Sequence, residues 1–133
     1  MTVRLPVGEV TALLGPGLVR RRVMAALDDG SAPGVLRLTA GKHETVATRQ
    51  AAVEAACGAG AAIVLADRLT DGLDAADRRA VLAGLRDVAT TGAAVLVDDV
   101  DPVATVAVAD EVLRADRTGG LVLERLSEIY FAS

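Results

Sequence analysis

The sequence predicts an α/β domain of three layers, a mostly parallel sheet with helices on both faces. Three observations point there. Residues 61–66 (AAIVLA) and 93–97 (AAVLV) are continuous apolar runs of strand length, the pattern of strands buried on both sides. Between them Val81, Leu82, Leu85, Val88 and Ala89 recur at helical spacing and make one apolar face. Glycine- and proline-bearing turns separate runs of the two periods along the chain. Buried strands alternating with amphipathic helices build parallel sheets, because each helix crosses back over the sheet to start the next strand.

In chain order, residues 3–5 and 10–14 read as short strands separated by Pro6 and Gly8. After Gly15-Pro16-Gly17, the set Leu18, Val19, Val23, Ala26 and Leu27 marks a helix, which Asp28-Asp29-Gly30 ends. Residues 35–38 form the next strand. Over residues 44–57, Val46, Val53 and Cys57 share a helical stripe, with Gly58 as the stop. Asp74 is placed to cap the helix that carries Val81 to Ala89, and Gly92 ends it. Asp101-Pro102 starts a short helix to about Ala109, since proline suits the first helical position. A strand at residues 112–113 follows, and Gly119-Gly120 turns into a last one at 121–123. No repeat or linker interrupts the pattern, so residues 1–133 read as a single domain.

A chain of 133 residues, 52% of them hydrophobic, can bury a core without disulfides or a metal. The lone Cys57 can form no internal disulfide, and with the single His43 it leaves too few soft ligands for structural zinc. The net charge of −4 is uneven: residues 1–50 hold 7 basic and 4 acidic side chains, residues 51–133 hold 7 and 14. That acidic remainder argues against nucleic acid and anionic membrane as partners, and one Tyr, one Phe and no Trp leave no stacking platform for single strands. No apolar run reaches the roughly 20 residues of a membrane span. The N-terminus lacks the apolar stretch of a signal peptide, so a cytoplasmic location is expected.

In such sheets ligands sit beyond the C-terminal strand ends. Those ends carry Gly15 to Gly17, Asp67 and Asp98-Asp99. Residues 66–113, from ADRLTDGLD through VDDVDPVATVAVADEVL, resemble the C-terminal half of ATPase subunits of ABC transporters. That family has an apolar strand ending in Asp-Glu, a Gly-Leu-Asp turn, a helix, a buried strand, a switch His before Asp-Pro, and an Ala-Asp strand entry. GEVTALLGPG, residues 8–17, resembles the strand and the start of the family's phosphate-binding loop, and Thr48-Arg49-Gln50 the stretch after its signature motif. The resemblance implies a P-loop NTPase-like fold, here too short for the family's helical subdomain.

The departures from the family pattern imply a chain that does not hydrolyse ATP. A working loop reads G-x-x-x-x-G-K-[ST], with backbone N–H groups and Lys on the phosphates and a hydroxyl on magnesium. Here GPGLVRRRV is about one residue short, Arg20 falls near the Lys position, and no hydroxyl residue follows it. Asp67 matches the acidic residue that supports magnesium, but Arg68 stands where the catalytic Glu belongs, replacing a base with a group that stays protonated. Val100 stands in place of the switch His, and the signature motif is absent. No catalytic residue and no metal ligand is therefore assigned. Gly15, Gly17, Arg20 and Asp67 are the candidates for a residual nucleotide or anion site, ATP being the one cofactor such a site offers. Gly72, Leu73 and Asp74, the turn that lies at the family's dimer interface, are the candidate protein contact. The expected role is an interaction or regulatory module, pairing with itself or with a cassette-type partner; the alternative is a regulator that binds ATP or another anion without efficient turnover.

Each of these residues also has a plainer expectation. Asp67 serves as a strand-end carboxylate capping nearby N–H groups, or Arg68 fills the old pocket as an internal cation beside it. Arg20 to Arg22 span about 200° of helix surface and form a solvated face. Asp101 caps its helix while Asp98 and Asp99 are loop solvation. His43 is a surface loop residue, and Cys57 a small packed side chain.

Overall fold

A computed structural model describes residues 4–28 and 34–126. The elements are β1 (Val10–Leu14), α1 (Gly17–Leu27), β2 (Val35–Leu38), α2 (Val46–Cys57), β3 (Ile63–Asp67), α3 (Ala75–Thr90), β4 (Ala94–Asp98), α4 (Pro102–Val108), β5 (Glu111–Ala115) and β6 (Leu121–Arg125). They form one six-stranded sheet in the order β2-β3-β4-β1-β5-β6, parallel except for the β5–β6 hairpin. β1 thus lies inside the sheet, with Ala12 opposite Val97 of β4 on one side and Val112 of β5 on the other.

Strand alternation divides the buried residues between two cores. Val10, Val64, Ala66, Val95 and Val97 face α2, α3 and α4, where they meet Val53, Leu82, Leu85 and Ala104. Leu13, Leu65, Leu96 and Leu113 face the other way, against Val23 and Met24 of α1. Small β-branched residues suit the face crowded by three helices, and leucines reach across to the single helix. The caps fall where the sequence places them: Asp74 accepts from Asp77 N at 2.8 Å and Asp101 from Ala104 N at 3.1 Å. Thr45 caps α2, which begins at Val46 rather than at residue 44.

Two expectations need correction. Val3 lies outside the described residues, and Arg4 and Leu5 are not a strand; Leu5 instead packs against the α1-side core. In α1 the buried residues are Val19, Val23 and Met24, while Leu18 and Ala26 are exposed. The helix starts at Gly17 on a connection of only Gly15 and Pro16, so its sheet-facing stripe is set by how that short connection seats it. Cys57 packs half-buried against the core under α2, α3 and α4, as expected, its thiol pointing at Val53 O from 3.8 Å.

Candidate functional site

The C-terminal strand ends bring Gly15, Gly17 and Arg20 together with Asp98, and Asp67 lies one strand further out. Gly15 has φ 133°, and a Cβ there would collide with Ala115 O, so the turn after β1 requires glycine. Arg20 folds back over this turn. Its Nε donates to Gly15 O at 3.0 Å, its Nη1 pairs closely with Asp98, and its Nη2 lies 3.5 Å from where a Cβ on Gly17 would stand. Arg20 is therefore not part of a solvated face: its side chain is 24% exposed and that of Asp98 is 3%. Burial raises the pKa of Asp98 above the usual carboxylate value, against the lowering effect of Arg20 and its hydrogen bond; the Asp67 charge adds to the rise and Arg68 opposes it.

Asp67 is likewise taken, its main partner being Arg37 rather than backbone N–H groups or Arg68. Arg37, on the neighbouring β2, donates to its Oδ2 from Nε at 2.9 Å and Nη2 at 2.7 Å. Arg68 stays 3.9 Å from Asp67, on a residue whose φ of 52° is the one positive value outside glycine among the described residues. Arg37 wins because β2 and β3 run parallel in a register that puts its long side chain beside the strand end. Asp99 is buried as well, not solvating a loop. It accepts from Thr70 Oγ1 at 2.6 Å and lies 3.6 Å from Arg78, while its Oδ1 accepts from Asp101 N.

The turn between β3 and α3 is held from two sides. Arg78 donates to Thr70 Oγ1 at 3.0 Å and to Leu73 O at 3.1 Å. Arg49, 1% exposed, has no carboxylate partner among the described residues. It donates to five carbonyl contacts on four residues: Gly41, Glu44 twice, Leu69 and Asp71. These clamps present Gly72, which has φ 83°, and Asp74 at the surface, with Leu73 half-buried against the core. The carboxylate of Asp74 is occupied by capping. Arg49 shares the buried stripe of α2 with Val53 and Ala56, but its residue type reads as surface. His43 is exposed in the turn after β2. Among the described residues no group of three or more His, Cys, Asp or Glu side chains is arranged to hold a metal.

A sheet of this strand order, with the β1–α1 turn facing strand-end aspartates, is a P-loop NTPase-like architecture. Within that class the chain has an ABC ATPase-like fold. It is similar to the ATP binding subunit of an ABC transporter, with a TM-score of 0.63 over 96% of this chain and 83% of that one at 12% identity. It is also similar to a nucleotide-free ATP-binding cassette from an ABC transporter, with a TM-score of 0.69 over 97% and 85% at 10% identity. No protein-family model matches the sequence, and no curated protein matches it. Between β2 and α2 the chain spends only residues 39–45, and the helical subdomain is absent among the described residues.

Proposed function

We propose that this chain does not hydrolyse ATP and serves as an interaction or regulatory module on a cassette-like scaffold, paired with a second copy of itself or with a cassette-type ATPase. The supporting observation is that both remnants of a nucleotide site are neutralised from within. Arg20, near the position of the phosphate-binding Lys, is committed to Asp98 and to the carbonyl of its own turn. Asp67, at the position of the magnesium-supporting carboxylate, is committed to Arg37. A phosphate entering here would have to displace a largely buried ion pair, leaving Asp98 unpaired at a cost of several kcal/mol. The connection of Gly15 and Pro16 is also too short to wrap N–H groups around a phosphate.

A protein-contact role is supported by what this end of the sheet exposes: Leu18, Val100 and Val103, at the starts of α1 and α4, are exposed apolar side chains at the same strand ends from which the Gly72–Asp74 turn departs. Such a module would work in the cytoplasm; among the described residues no helix is long and apolar enough to cross a membrane. The test combines light scattering after gel filtration with phosphate release. A dimer, or a stable complex with a cassette ATPase, that is lost in Val100→Asp/Val103→Asp supports the proposal. A chain that stays monomeric with no such complex, or one that releases phosphate from ATP in an Arg20-dependent manner, refutes it.

One observation favours the second reading, anion binding without turnover. A cavity of about 350 Å³ between α1, β2 and β3 is lined by Arg21, Arg37 and Arg68, against Asp28 and Asp67. Binding of ATP or pyrophosphate that is weakened by Arg21→Ala/Arg68→Ala and untouched by Arg20→Ala would place an anion there and not in the β1–α1 turn.

A further inference from the structure

The opposite end of the sheet holds a buried charged cluster that plays no part in the site above. Glu111 opens β5 and is 1% exposed. Across the sheet it faces Thr11 of β1 and Arg125 of β6, and Glu9, two residues before Thr11, projects to the same side. Arg125 touches both carboxylates, with Nη2 3.3 Å from Glu9 Oε1 and Nη1 3.4 Å from Glu111 Oε1. Even so, Glu9 Oε2, both side-chain oxygens of Glu111 and Thr11 Oγ1 are buried without a hydrogen-bond partner.

An ionised carboxylate only accepts, so two of them beside one guanidinium leave this cluster short of donors. A single proton resolves the shortage. Carried on Glu111, it donates to Glu9, removes one of two adjacent negative charges, and leaves Glu9 to pair with Arg125. The charge balance agrees. Burial is the main cause raising Glu111, to about 7; the hydrogen bond that a protonated Glu111 would give Glu9, the Glu9 charge and Asp110 add to the rise, and Arg125 opposes it. Glu9 is lowered, chiefly by the hydrogen bond that a protonated Glu111 would donate and also by Arg125, against its own desolvation. Asp110, the other charge facing the pair, is held by Arg86 at 3.6 Å and accepts from Val10 N at 2.9 Å.

We propose that Glu9, Glu111 and Arg125 form a proton-operated latch: one shared proton fastens the lead-in to β1 and the strand β6 onto β5, and loss of that proton loosens the β5–β6 hairpin. The hairpin is the antiparallel edge of the sheet and exposes Val122 and Leu123. Loosening therefore changes the edge that this end of the molecule offers to a partner.

The sign follows from the direction of each shift. Glu111 lies above its ordinary value, so its contribution to stability is complete below pH 4.5 and is lost as pH rises through about 7. Glu9 lies below its ordinary value, so its smaller contribution is lost at the acid end instead. The test is a carboxyl carbon NMR titration of the full chain, with amide exchange protection of β5 and β6 measured at pH 5.5 and 8.5. A Glu111 midpoint near 7 and a fall in hairpin protection of roughly tenfold or more are expected, a tenfold change being about 1.4 kcal/mol. E111Q, which keeps a donor toward Glu9 but cannot titrate, should hold protection within about twofold across the same range. A Glu111 midpoint near 4.5, or an undiminished pH response in E111Q, overturns the latch. Should E111Q fail to fold, the wild-type midpoint alone decides.

Discussion

Arg20 and Asp98 make the most demanding prediction, because each removes the other from nucleotide chemistry. Deleting one partner of a fully buried ion pair costs about 3–5 kcal/mol, since the survivor keeps its charge without water. Here Asp98 is 3% exposed and Arg20 24%. Arg20→Ala strands the buried carboxylate and should cost about 2–3 kcal/mol at pH 7.5; Asp98→Ala leaves a guanidinium that water already reaches and should cost about 1–2. For a chain of 133 residues each kcal/mol lowers the melting temperature by roughly 3–4 °C. Urea unfolding of the two single variants and the double should show a coupling of about 1–2 kcal/mol. The Arg20→Ala cost should also shrink at pH 5, because Asp98, already raised by burial and relieved of Arg20, takes up a proton. Additive costs with no pH dependence would mean the pair is a surface contact that leaves Arg20 free to meet phosphate.

Further predictions concern the clamps and the turn. Arg49→Met should destabilise the fold by about 3 kcal/mol in urea unfolding, because the buried carbonyls of Leu69 and its neighbours lose donors that no other described side chain supplies. A loss under 1 kcal/mol would show that water replaces the guanidinium. Gly15→Ala should cost at least about 2 kcal/mol, from the positive φ and the clash with Ala115 O, and a neutral result would mean the turn relaxes freely. Asp74→Ala should cost about 1 kcal/mol through loss of the α3 cap. If Gly72 is a contact, a bulky substitution there, such as Gly72→Trp, should abolish pairing with little change in unfolding free energy beyond the strain at its positive φ and the approach of its Cβ to Lys42 O at 3.3 Å.

The α3 face was fully legible: Val81, Leu82, Leu85, Val88 and Ala89, read from spacing alone, are its buried residues. The caps at Asp74 and Asp101 were legible because capping is a local matter of residue type and position. Charges were not. Arg20 meets Asp98, and Arg37 meets Asp67, across strands that only the sheet order makes neighbours, and no local rule carries that order. Arg49 and Glu111 were missed for a related reason: each occupies an inward slot of its element, yet a charged side chain reads as surface until its partners are in place. Met24 displaced Ala26 from the α1 stripe because the two-residue connection, not the helical period, fixes which way α1 turns toward the sheet.

Whether the β1–α1 turn still holds phosphate decides between a scaffold and a nucleotide-binding protein. Calorimetric titration of the wild-type chain with ATP, with and without magnesium, measures this directly. A site whose Arg20 is held by Asp98 and whose Asp67 is held by Arg37 should give no heat and no thermal stabilisation at millimolar ATP. Micromolar binding that disappears in Arg20→Ala would contradict it, showing that the ion pair yields to phosphate and that the chain is a nucleotide-binding protein.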